Sequence, residues 1–389
     1  MKEKFKSLIF RSILLLLIVI LLECIGYFGL WINSKSIDWL ANKNYFNIRA
    51  MLAGDTDPTL FPRFLTLPYL GYIPFPGYTK HGIVQHNEDG YRGVRVPLMK
   101  SNKLRFLYIG GSTTYGLGVK DPNETFPALL ESKMNQYISE SPELRAKFQG
   151  AEVINSGIFA GTSAEELQQY LFKYRYYKPD VVVVHSGIND AEVLASLSDK
   201  FQLDYTHYRR INFHLEPLPQ PMRTLMKSNL ISFFIIQLIY SEFSIPGNEY
   251  KHQYNQRFCD WTKLDIKSIA HLKQMENYPF FRNSKSLFNE IVSDGSQLVV
   301  IPTVINLEEK KVRSLKEYIS LSNMNNSISK ELCLKLGGIF IPFSYVSIKN
   351  KSSWMDDCHL DANGEREKAD FLFPYFKEVI LKRANTVKQ

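Results

Sequence analysis

From residue 103 onward, short β-rich apolar runs alternate with stretches whose apolar residues recur at helical spacing. That alternation marks a parallel sheet covered by helices on both faces, since a strand buried on both sides has no polar face to show. The pattern predicts strands at Leu104–Ile109, Glu152–Asn155, Asp180–His185, Leu298–Thr303 and Gly338–Phe343. Helices are expected near Phe126–Ile138, Ser163–Tyr177, Ser284–Val292, Ser314–Leu336 and Asn363–Leu381. The predicted fold is α/β, a flavodoxin-like three-layer α/β/α arrangement around a five-stranded parallel sheet. Ser163-Ala164-Glu165-Glu166 reads as a capping box that opens the second helix just after Gly161. Pro179 ends the approach to the third strand.

A different pattern stands at the N-terminus. Ser12–Ile32 is a run of 21 residues, mostly Leu and Ile, long enough to cross a ~30 Å hydrocarbon core as a helix. Glu23 is the one charge inside it. A carboxyl at mid-span costs on the order of 2.5 to 3.5 kcal/mol on insertion scales, which the surrounding Leu and Ile residues offset. Lys2, Lys4, Lys6 and Arg11 precede the run, and positive charge marks the side kept in the cytoplasm, so the bulk of the chain is expected outside, in the periplasm or cell exterior. No small-x-small cleavage site follows, and Leu21-Leu22-Glu23-Cys24 has Glu where a lipoprotein signal needs a small residue. The expectation is an uncleaved transmembrane anchor.

The domain reading follows: a basic cytoplasmic tail (1–11), the anchor (12–32), a Pro-, Gly- and aromatic-rich membrane-proximal extension (33–100), and one large domain over 101–385 with an insertion at 194–280. Inside the insertion, the apolar stretch Leu230–Ile236 is too short to span a bilayer and reads as a buried or lid helix. An acyl-chain or membrane contact is the sharper alternative.

Composition narrows the function classes. At 45% hydrophobic and 22% charged the 389 residues are those of a folded chain. Of the formal +8, residues 1–11 supply +3 (four basic residues less Glu3), leaving +5 for the rest. With no Lys/Arg cluster interleaved with aromatics, no nucleic-acid partner is expected. Cys24, Cys259, Cys333 and Cys358 form no C-x-x-C pair, so neither zinc nor any other metal is expected. An oxidising compartment permits Cys259 and Cys333 to pair; two buried free thiols are the plainer account.

The chemistry lies at strand ends. Gly110-Gly111-Ser112-Thr113-Thr114-Tyr115-Gly116 follows the first strand, Gly161 the second, and Gly187-Ile188-Asn189-Asp190 the third, while Asp356-Asp357-Cys358-His359 comes after the last. In an open parallel sheet, ligands bind outside the carboxyl ends of the strands, where these pieces converge. A serine hydroxyl becomes a nucleophile when an imidazole takes its proton, a carboxylate fixes that imidazole and preset donors hold the oxyanion. Each piece alone has a plainer reading: a tight turn, a helix cap, a chance D-x-x-H. Asp357 rivals Asp356 for the carboxylate role, Asp190 is read as structural, and Cys358 as a neighbour of His359. His185 is expected to pack, and His81, His86, His207, His214, His252 and His271 to serve surface or core roles. Gly110–Gly118 lacks the order of a phosphate-binding loop, which argues against a nucleotide cofactor.

In this order the motifs resemble the SGNH, or GDSL-type, hydrolase superfamily, over roughly residues 86 to 380. His86-Asn87-Glu88-Asp89-Gly90-Tyr91-Arg92-Gly93 is similar to the lead-in of membrane-anchored bacterial members, and Gly111 stands where the namesake motif has Asp. The resemblance implies an esterase without cofactor: Ser112 as nucleophile, His359 as base, Asp356 as its orienting acid, and an oxyanion hole made by the Ser112 and Gly161 N–H groups and the Asn189 side chain. An ester-bearing envelope glycan or lipid is the expected substrate. An O-acyltransferase acting on an extracytoplasmic polysaccharide and a catalytically silent glycan-binding or assembly protein are the alternatives.

Overall fold

The computed structural model describes residues 2–34, 46, 49, 52–53, 64–67, 69–80, 82–195, 205, 218–242, 278–306, 308 and 316–386. They fall into two compact units, residues 1–65 with 212–255 and residues 66–211 with 256–389.

The first unit is built on helix α1 (Lys2–Ser34), in which Phe5–Ile32 is long and apolar enough to cross a membrane. From Leu8 to Leu22 its Leu and Ile side chains point outward, and Leu30 near its end is buried in a small core with Leu52, Met226 and Ile236.

The second unit carries the sheet. In chain order it contains β1 (Leu104–Gly110), α2 (Phe126–Glu140), β2 (Ala151–Asn155), α3 (Ser163–Phe172), β3 (Val181–His185) and α4 (Ile188–Ala195). The segment after α4 passes through the first unit, where it forms α5 (Asn229–Glu242). The second unit then resumes with α6 (Pro279–Ser293), β4 (Gln297–Val300), α7 (Lys316–Lys335), β5 (Ile339–Phe340) and α8 (Ala362–Thr386). The five strands are parallel in the order β2-β1-β3-β4-β5, with Phe106 beside Val153 and Val181, and Val299 beside Ile339.

Side chains alternate across a strand, so each face takes every second residue. Leu107, Ile109, Val182, Val184, Leu298 and Val300 pack on one side with Tyr170, Leu287, Ile291 and Ile328 of α3, α6 and α7. Phe106, Tyr108, Val181, Val183 and Val299 pack on the other with Leu130, Met134, Phe376 and Ile380 of α2 and α8. Both faces are apolar because both are covered, giving the three-layer α/β/α fold the sequence predicts.

The departures are local. The expected helix Ser163–Tyr177 stops at Phe172, and Tyr174–Tyr177 form a separate 3-10 turn. Tyr174 and Tyr177, three apart, are both buried, and a three-residue turn places them on one side while Lys178 leaves in the left-handed region at φ 49°. α6 begins five residues before the expected Ser284, with Pro279 in its first turn, where a missing N–H costs nothing. The capping box is also shifted by one. Thr162, not Ser163, is the N-cap, and its N–H donates to Glu165 Oε2 at 2.8 Å. Ser163 is occupied elsewhere, by Asp190.

Candidate active site

Ser112 opens a four-residue helical turn directly after β1 and is almost wholly buried, at 6% exposure. Glycines make the turn possible. A Cβ on Gly110 would lie 2.2 Å from the His185 carbonyl oxygen, and one on Gly111 2.4 Å from Asn189 Nδ2. Gly116 closes the turn at φ +76°, where an ordinary side chain is strained. Position 111 is the one at which the chain departs from the namesake family motif, and here it leaves room for the Asn189 amide.

His359 comes to Ser112 from a turn preceding α8. Trp354 and Leu360 bridge antiparallel at its base, and the Met355 N–H donates to the His359 carbonyl at 2.9 Å. His359 Nε2 lies 2.7 Å from Ser112 Oγ, and His359 Nδ1 lies 2.7 Å from Asp356 Oδ2. The other carboxylate oxygen, Oδ1, accepts the N–H groups of Cys358 and His359 at 2.9 and 2.8 Å. Burial alone would raise the Asp356 pKa, but the hydrogen bond and charge of His359 and those two N–H groups outweigh it and hold the carboxyl below its usual 3.8. It is therefore Asp356 that fixes the ring. Asp357, whose pKa is raised by burial and by the neighbouring Asp356, lends its carbonyl to the Asn306 N–H instead.

The predicted oxyanion donors gather beside this relay. The Ser112 N–H stands in the first turn of a helix, where no intrahelical acceptor exists. Asn189 Nδ2 donates to the Gly161 carbonyl at 2.8 Å. The Gly161 N–H is engaged with the Ile158 carbonyl through a long bond of 3.3 Å, which it must leave to face a developing oxyanion. Asp190 is fully buried and accepts from the Ser163 N–H at 3.0 Å, the Ser163 hydroxyl at 2.6 Å and the Tyr205 hydroxyl at 2.8 Å. Burial raises its pKa to about 6 against those hydrogen bonds. Its part is to tie the loop after β2 to the helix after β3.

Cys358 Sγ lies 3.6 Å from His359 Nδ1, but burial and the nearby Asp357 and Asp356 push its pKa far up, so the thiol stays neutral beside the ring. Asp356, Cys358 and His359 could offer a metal three atoms within 4.8 Å of one another. Both ring nitrogens are already committed to Asp356 and Ser112, so these groups fit a proton relay better than a metal site. Cys333 is a buried free thiol; Cys259 lies outside the described residues, as do His81, His207, His214, His252 and His271.

Several residues that hold the site lie outside the nucleophile, oxyanion and D-x-x-H motifs. Asn306 donates its backbone N–H to the Asp357 carbonyl at 2.6 Å and its amide to the Asp356 carbonyl at 3.3 Å, clamping the turn that presents His359. Arg92, fully buried, donates to the Tyr115, Gly116 and Val119 carbonyls at 3.1, 2.7 and 2.7 Å, and so fixes the exit of the serine turn. His86 Nε2 meets the Tyr115 hydroxyl at 2.8 Å. These two belong to the lead-in stretch, which was the available signal. His185 packs as expected, with Nδ1 at 3.1 Å from the Ile301 carbonyl and Nε2 facing Lys368 Nζ at 2.9 Å.

No protein-family model and no curated protein sequence matches the chain at a significant level. Solved structures with a similar course of chain include a lipase/acylhydrolase from Enterococcus faecalis, at 14% identity over 71% of this chain and 96% of that one, TM-score 0.38. A GDSL-like lipase from Bacteroides thetaiotaomicron is similar at 12% identity over 74% and 92%, TM-score 0.37. An acetylxylan esterase from Geobacillus stearothermophilus is similar at 15% identity over 71% and 93%, TM-score 0.39. At such identities and scores the likeness assigns no activity.

Proposed function

We propose that this chain is a membrane-anchored serine esterase of the SGNH type. The observation that carries the reading is the continuous relay from Ser112 through His359 to Asp356, both links 2.7 Å long, at the carboxyl end of the sheet. A binding module has no need of it.

Ser112 Oγ attacks the ester carbonyl as His359 Nε2 takes its proton, and Asp356 stabilises the imidazolium through Nδ1. The tetrahedral oxyanion is held by the Ser112 and Gly161 N–H groups and the Asn189 amide, each worth roughly 3 kcal/mol in the transition state. His359 then hands its proton to the departing alkoxide, which leaves an acyl-serine. Water, deprotonated by the same imidazole, releases the acid and restores the serine.

The basic residues in the first turns of α1 support a catalytic unit outside the cytoplasm, and that location favours an O-acetyl or other acyl group on an envelope glycan or lipid as the substrate. Labelling by a serine-directed fluorophosphonate, lost in Ser112→Ala, is the test. A folded wild-type protein that takes no label would overturn the enzyme reading. Release of free acetate, measured against acetyl appearing on an added glycan, separates hydrolysis from acyl transfer.

A further inference from the structure

We infer that α5, the apolar helix of the segment between β3 and β4, is embedded in the outer leaflet of the bilayer alongside α1, so that the chain meets lipid twice. The inference rests on reading α1 as an anchor with its basic end inside.

The two helices run side by side in the same direction, Leu230 beside Gly26 and Phe233 beside Gly29. A Cβ on Gly26 would lie 2.3 Å from the Leu230 nitrogen, and one on Gly29 would lie 2.8 Å from the Phe233 ring. Small residues at such a contact let helix backbones approach, which is how helices associate where lipid removes the hydrophobic drive.

Glu23, the one charge within residues 12–32, is satisfied by this contact. Its carboxylate accepts the Asn229 N–H at 2.6 Å and the Ser228 hydroxyl, and so caps the N-terminus of α5. Arg49 takes the Met226 and Lys227 carbonyls at 2.6 and 2.8 Å and Asn229 Oδ1 at 2.6 Å. Irregular backbone at membrane depth is tolerated where its polar groups are satisfied by protein, as the Met226 and Lys227 carbonyls are by Arg49 and the Asn229 N–H by Glu23.

Glu23 stands nine residues before Ile32, about 14 Å along the helix, so α5 begins at that depth and rises with α1 toward the outer surface. One face of α5, with Ser232 and Ile236, is buried against Leu30, Leu52 and Met226. Ile231, Phe234 and Leu238, spaced three and four apart, face outward at 38%, 61% and 62% exposure. That stripe continues the outward Leu, Ile and Phe side chains of α1, and acyl chains that cover one cover the other.

The experiment places a photoreactive benzoylphenylalanine at 17, 234 or 176 in the full-length chain, reconstituted in phospholipid vesicles. Leu17 reports on the anchor, Phe234 on α5, and the exposed Tyr176 of the second unit is the aqueous control. The expected result is a lipid adduct at 234 about as abundant as at 17, with none at 176. Adduct at 17 alone overturns the placement of α5 while the anchor stands, and adduct at neither overturns both. The same measurement at Leu238 guards against a variant at 234 that misfolds, and lipid labelling there counts as it would at 234.

Discussion

The turn that presents Ser112 and the turn that presents His359 meet at one hydrogen bond, yet they are held in different ways. Arg92 ties the exit of the serine turn, but close approach sets its start: at Gly110 and Gly111 a single added carbon would collide with the His185 carbonyl and the Asn189 amide. The histidine turn is held by added bonds: Asp356 Oδ1 accepts two N–H groups, Asn306 donates to two carbonyls, and the Met355 and Asp361 N–H groups donate to the His359 and Ser353 carbonyls. A close-packed element has no slack, whereas one tied by several hydrogen bonds can lose one and keep its shape. In the proposed mechanism Ser112 must sit on a rim shared by three strands, and His359 only has to reach it.

The largest effect tests whether the two turns form one machine. Ser112→Ala should lower kcat on nitrophenyl acetate by about 10⁴-fold or more, and His359→Ala by a similar factor, with the double variant no worse than either. Losses that multiplied in the double variant would show the two residues acting independently.

Next comes the close contact at position 111. Gly111→Ala should push the Asn189 amide aside and lower kcat by about 10² to 10³-fold, as should Asn189→Ala, with thermal unfolding little changed in the latter. Because both act through the same amide, their effects should fail to add in a double-mutant cycle. Full additivity would detach Gly111 from the oxyanion site.

The histidine turn should yield less. Asn306→Ala removes the amide bond to the Asp356 carbonyl but leaves the backbone bond to Asp357, so kcat should fall about tenfold with KM unchanged. A loss as deep as that of Gly111→Ala would erase the contrast between the turns.

The same contrast explains what could be read from the sequence. The strands were legible because a doubly covered sheet writes apolar runs, while Ser112 and Asn189 stood out as candidates because they follow strands, and His359 because it ends a D-x-x-H. Gly111 was visible as a departure from the family motif, but its reason lies in a contact with a residue 78 positions on. Asn306 left no signal, since it binds main-chain carbonyls that any residues at 356 and 357 would offer. The capping box was misplaced by one residue because Asp190 claims the Ser163 hydroxyl, a competition set by tertiary structure. The task of Glu23 was hidden for the same reason: its partners are Ser228 and Asn229, more than 200 positions away.

The smallest effect concerns the helix onto which the histidine turn leads. Lys368 of α8 is buried, its Nζ facing His185 Nε2 at 2.9 Å and lying 3.9 Å from the centre of the Phe126 ring, while Glu365 accepts the Phe126 N–H at 2.7 Å. Burial brings the Lys368 pKa down from 10.5 to about 8, against the opposing pull of Glu365. Below about 8 both folded and unfolded chains hold the proton, and the burial penalty is present in full; between about 8 and 10.5 the unfolded chain holds more protons, so this group makes stability rise with pH. The slope is at most about 1.4 kcal/mol per pH unit. Tyrosines and cysteines titrate in the same window, so the quantity to measure is the difference in urea unfolding free energy between wild type and Lys368→Met from pH 7.5 to 9.5. That difference should shift in favour of wild type as pH rises, with little change in kcat. A flat difference would mean that Glu365 keeps the ammonium charged throughout. The support under α8 would then be an ion pair, and the histidine turn would rest on electrostatics as well as on hydrogen bonds.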